Sequence, residues 1–95
     1  MLLDHKPHTV GDRKKYIVDY SQWLNAGDRL VPFVFSATTT SLTASIDTVT
    51  VPTNTTLQFF VNGGVLNEIF TVSIQITTLL GEVKNDTVEF FVTAP

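Results

Sequence analysis

A chain of 95 residues holds one domain and buries only about 60–65% of the surface its unfolded form exposes, so a partner surface would add to its stability. It has no cysteine, which excludes disulfides, thiolate metal sites and cysteine catalysis and favours folding in the cytoplasm over secretion. The net charge of −3 is uneven: residues 1–15 carry four cationic and two anionic side chains, whereas from Leu30 onward Lys84 stands alone against five acids, which excludes a broad basic face for nucleic acid.

Residues 1–13 lack periodicity, contain Pro7 and Gly11, and read as an extended arm that orders where something ties it down. Met1-Leu2-Leu3 runs directly into Asp4, His5 and Lys6, so no signal-peptide core is expected, and no apolar run approaches the roughly 20 residues that span a bilayer. The sequons at Asn54 and Asn85 then read as coincidences of a Thr-rich chain. His5 and His8 have a spacing that resembles a metal pair, but Pro7 disfavours the helix that would align them, and solvated histidines are expected. The cationic residues Lys6, Arg13, Lys14 and Lys15 form either an ordinary solvated tail or a docking surface for an acidic neighbour or another copy.

Tyr16 to Tyr20 is β-prone and predicts a first strand. A turn follows through Asp28, with room for one helical turn at Gln22-Trp23-Leu24. Trp23, the only tryptophan, is expected to plug one end of the core, with ligand stacking as the alternative. Asp19 and Asp28 are expected to cap that turn or pair with Arg29. Leu30 to Phe35 is an apolar run whose Pro32 demands an edge or a bulge, with Phe33 and Phe35 on one face. Leu42, Ala44 and Ile46 alternate, and the phase slips at Asp47-Thr48 before Val49 and Val51, which predicts a bulge. Leu57, Phe59 and Val61 share a face ahead of the turn Asn62-Gly63-Gly64.

The clearest signal is last. Phe70, Val72, Ile74 and Ile76 alternate with polar residues, and Val88, Phe90 and Val92 repeat the pattern beyond Leu79-Leu80-Gly81-Glu82. This predicts a β-hairpin with one buried face. Phe60 and Phe91 fall out of phase with it. Either local twist returns them to the core, or they cover a second face against a neighbouring protein. A hydrophobic fraction of 43% suits the second reading.

About seven short strands at this spacing predict an all-β, immunoglobulin-like β-sandwich over residues 16–95 behind an arm of residues 1–15. The expected core includes Trp23, Phe70, Val72, Ile74, Ile76 and Phe90. No residue pattern for catalysis, metal or cofactor binding is visible: there is no nucleophile elbow, and Asn62-Gly63-Gly64 lacks the Lys-Ser/Thr of a phosphate loop.

Asp19-Tyr20-Ser21-Gln22-Trp23-Leu24-Asn25-Ala26-Gly27-Asp28 resembles the D-Y-S-x-W-L-x-x-G-D/E opening of small tailed-bacteriophage proteins. Gly63-Gly64 and the strand Val72 to Gly81 are similar to their Gly-Gly turn and late V-x-x-x-I-T-T-x-x-G strand, while Phe33-Val34-Phe35 stands where a Trp-containing strand would be expected. The resemblance covers residues 16–93 and implies an immunoglobulin-like virion module without catalytic residues, made in the host cytoplasm. Its first implied role is capsid decoration, with the major capsid protein or another copy as partner and residues 1–15 as anchor. A neck or tail component is the alternative. A host-surface carbohydrate module using Trp23 or Tyr20 is the third; neither nucleic acid nor membrane is an expected partner.

Overall fold

The computed structural model describes residues 2–95, with Leu3 and Phe33 described for their backbone alone. Seven strands follow in order: β1 (Leu2–Thr9), β2 (Arg13–Asp19), β3 (Leu30–Thr39), β4 (Ala44–Thr53), β5 (Thr56–Gly63), β6 (Ile69–Thr78) and β7 (Val83–Thr93). They form two sheets, β1-β7-β6-β3 and β2-β5-β4, stacked into an elongated body of 42 × 22 × 19 Å. Hairpins join β4 to β5 and β6 to β7, and β3 crosses to β4 in the other sheet; this is the immunoglobulin-like β-sandwich.

The β6–β7 hairpin lies at the centre of the larger sheet, with Phe70 opposite Phe90 and Val72 opposite Val88. Its alternation becomes a buried row of Phe70, Val72, Ile74, Ile76, Val88, Phe90 and Val92, met from the other sheet by Leu57, Phe59 and Val61. Phe90 is the hub. It meets Tyr16 edge-on at 4.7 Å, Phe59 edge-on at 6.2 Å, and stacks on Phe70 at 5.4 Å. Buried aromatic and aliphatic side chains of this kind contribute about 1.5–3 kcal/mol each through removal from water. Gly81 turns the hairpin with a φ of +93°, a left-handed conformation that glycine takes without steric cost.

The expected irregularities fall where the phase breaks. In β4 the register slips between Asp47 and Thr50, with Thr48 at φ +48°. In β3, an edge strand, it slips between Leu30 and Phe35, around Pro32. The Phe33 side chain, expected to share a face with Phe35, lies outside the described residues. At the end of β5, Gly64 has a φ of +98° and a Cβ there would lie 3.0 Å from Val92, so turn and core close around it together.

The amino-terminal arm is extended, and residues 2–9 of it are strand β1, an edge of the larger sheet. It pairs parallel with β7, Lys6 opposite Phe90 and His8 opposite Val92, while the other strand pairs are antiparallel. The expectation of a solvated His8 is corrected: its side chain is inside the sandwich, 1% exposed. His5 is exposed, its Nδ1 2.7 Å from Glu89 Oε1. Leu42, read as part of the β4 alternation, instead stands in a loop ahead of β4, 99% exposed. Trp23 packs half-buried against the core and Tyr20 is fully inside it.

Candidate functional site

The predicted contact residues separate into three places. Lys6 on β1 and Lys14 and Lys15 on β2 come together where the edges of the two sheets run side by side. A hollow of about 360 Å³ lies along this seam, lined by the three lysines with Pro7, Tyr16 and Ile17. A second hollow of about 260 Å³ shares Lys6 and Ile17 with it and also touches Asp4, Val18, Asp19 and Val88. The seam is clasped from within. His8 Nδ1 and the Tyr16 hydroxyl meet at 2.8 Å, His8 Nε2 donates to the Asp12 carbonyl at 3.1 Å, and the Tyr16 hydroxyl donates to the Pro7 carbonyl at 3.2 Å.

Arg13 is engaged elsewhere, on the outer face of the smaller sheet. Its guanidinium lies 3.9 Å from the centre of the Phe60 ring, Nη2 donates to Asp47 at 2.7 Å and to Thr48 at 3.1 Å, and Asn62 donates to the same carboxylate. These donors, Arg13 first, hold the Asp47 carboxyl down at about 2. Arg13 therefore fastens β2 to the β4 bulge and shields Phe60.

Phe91 lies on the outer face of the larger sheet, 45% exposed, in a lateral row with Pro7 of β1 and Ile69 of β6. Phe60 and Phe91 both point away from the core, but from different sheets, and do not form one surface. Phe91 is joined instead by residues the sequence did not mark. Val65 and Leu66 lead into Ile69, and Leu42 lies nearby because Glu68 accepts hydrogen bonds from Ser41 at 2.7 Å and Thr43 at 2.6 Å. Those hydroxyls, Thr43 first, lower the Glu68 pKa and brace the loop that presents Leu42. This is one apolar pole of the body.

The other pole is the β6–β7 turn, where Leu79, Leu80 and Val83 are exposed beside a hollow of about 280 Å³ lined in part by Leu30, Val31 and Pro32. The Asp19–Asp28 motif is its brace. Leu79 N–H donates to the Arg29 carbonyl at 2.8 Å, Leu80 N–H to Asp28 at 3.2 Å, and Asn25 to Glu82 at 2.8 Å. Asp19 caps the turn by accepting from Ser21 N–H at 2.8 Å. Below the turn, Lys84 Nζ lies 3.1 Å from the buried Asp86 carboxylate and 5.4 Å from the centre of the Trp23 ring. Burial, with Asp86 nearby, pushes the Tyr20 hydroxyl pKa upward. Asp86 continues the inward phase of Val88, Phe90 and Val92, a signal present in the sequence.

Among the described residues no group of three or more His, Cys, Asp or Glu could hold a metal ion. The surface features that stand out are two apolar poles at opposite ends of the β6–β7 hairpin and a basic seam along one side. No curated protein matches the chain. A family model does, over residues 8–91, a span that takes in every strand from β2 to β6, the end of β1 and most of β7. The chain belongs to the Gp77 family of phage virion structural proteins, whose model is described as "Podophage GP4 fiber-tail adaptor protein gp77".

Proposed function

We propose that this chain is a non-enzymatic adaptor that joins a fibre to the tail of a podophage virion. The observation that carries the reading is the family match over residues 8–91. Of the two virion positions implied by the sequence, shell decoration and neck or tail, a fibre-tail adaptor family favours the second. Its partners are then fibre and tail proteins in place of the major capsid protein.

The geometry suits the task. An adaptor needs two contact surfaces that do not compete, and the poles at Leu42/Ile69/Phe91 and Leu79/Leu80/Val83 lie at opposite ends of a 42 Å body. Exposed apolar residues gathered in this way, instead of scattered singly, are the usual mark of a protein contact. The braced loop under Leu42 and the triple tether of the β6–β7 turn hold each pole in shape before binding, which lowers the entropy lost on docking.

Particles assembled without the chain are expected to carry tails and lack fibres in electron micrographs; full fibre occupancy would overturn the reading. Copy number separates it from shell decoration, about a dozen or fewer per particle against hundreds. Separate pole variants, I69S/F91S and L79S/L80S, are each expected to lose one partner in pull-downs and keep the other.

A further inference from the structure

We infer that the β1–β2 seam is a third contact surface, and that it takes an extended, acidic segment of a partner chain. The inference rests on the adaptor reading and names the chemistry of one partner.

Its shape is the first argument. From Lys14 to Asp19 the two hollows, which share Lys6 and Ile17, follow about 17 Å of strand at roughly 3.3 Å per residue. A hollow of about 360 Å³ along the first part of that length is too narrow for a helix of about 10 Å diameter. An extended chain fits, and it would meet β1 and β2 along their unpaired edges.

Charge is the second argument. The two acids at the far end are already engaged: Asp4 accepts from His5 N–H and pairs with Lys6 Nζ at 3.3 Å, and Asp19 accepts from Ser21 N–H. Among the described residues neither Lys14 nor Lys15 forms an ion pair, although acids outnumber bases nine to six in the chain. Lys14 has only the Tyr16 ring below it, 5.9 Å from the ring centre. Lysines on an edge strand can serve simply to repel other edges. That role needs exposure alone, whereas these flank a groove whose lining includes Pro7, Tyr16 and Ile17. Carboxylates alternating with aliphatic residues would satisfy both features. A polyphosphate backbone would satisfy only the lysines.

Purified particles treated with a zero-length carbodiimide, which joins lysine to a touching carboxylate, test this directly. Lys14 or Lys15 is expected to appear in mass spectra joined to Asp or Glu of a different virion protein. K14E/K15E should weaken capture of that protein on the order of tenfold, with a loss of similar size for the wild-type chain at high salt. Cross-links from the seam only to a second copy of this chain overturn the inference, as does retention of the chain on a DNA duplex. If the chain is in the tail and its seam lysines join nothing, the inference fails and the adaptor reading stands. If the chain is absent from the tail, both fail.

Discussion

His8 and Tyr16 reach each other from different sheets, side chains 2.8 Å apart and ring centres at 5.9 Å, and so lock the first strand of one sheet to the first strand of the other. A buried imidazole needs partners for both ring nitrogens, and here they are the Tyr16 hydroxyl and the Asp12 carbonyl. Tyr16→Phe keeps the ring packed against Phe90 and removes only the hydroxyl, leaving His8 Nδ1 buried without its partner. The expected cost is about 1–3 kcal/mol in urea unfolding. A variant as stable as the wild type would show that water or a shifted imidazole replaces the bond.

Because β1 supplies His8 and covers the edge of β7, deleting residues 1–9 is expected to do more than remove an anchor. It exposes Phe90 and Val92 beside the lost strand and leaves Tyr16 without His8 and Pro7. We expect the melting temperature to fall by about 10 °C or more. An unchanged transition would mean that β1 adds nothing to the sandwich.

Lys84 and Asp86 form a pair in which the carboxylate is fully buried and the ammonium largely so. Lys84→Met takes the compensating ammonium away from the buried carboxylate, at an expected cost of about 3–5 kcal/mol. The double variant K84M/D86L removes the charge as well, and its loss in chemical denaturation should be clearly smaller than that of K84M alone. Equal losses would mean that the pair matters for its packing and not for its charge.

Asp47 gives the fold a defined acid response. Its folded pKa of about 2 lies below the ordinary 3.8, chiefly through Arg13, so it binds protons more readily when unfolded. Its stabilising contribution is therefore complete above the unfolded value and disappears as pH falls from about 4 towards 2. The gap in urea midpoint between wild type and D47N is expected to be constant near neutrality and to close across that window. A gap that persists to pH 2 would assign the effect to geometry alone.

The hairpin, the bulge at Asp47-Thr48 and the buried face of β5 were all legible, because a strand with one wet face writes its phase into neighbouring residues. Strand β1 was not. Its described inward positions include Lys6 and His8, so hydrophobic alternation never appears, and parallel pairing with β7, some eighty residues away, leaves no local turn signal. The poles were half-legible. Phe91 could be read as out of phase, but its union with Ile69, Val65 and Leu42 depends on cross-strand register and on the Glu68 brace. The seam lysines were marked by charge, yet Arg13, which belongs to the same cluster in sequence, is drawn across the outer face of its sheet to Asp47 and Phe60.

The parallel pairing of β1 with β7 also sets how the body answers a mechanical load. Both strands run the same way, so tension drawing the Leu2 end and the Thr93 end apart slides one strand along the other. Seven residue pairs then resist in shear at once, where an antiparallel hairpin pulled from its open end would unzip pair by pair. If the chain joins fibre to tail as proposed, a load applied at these two ends would meet that resistance.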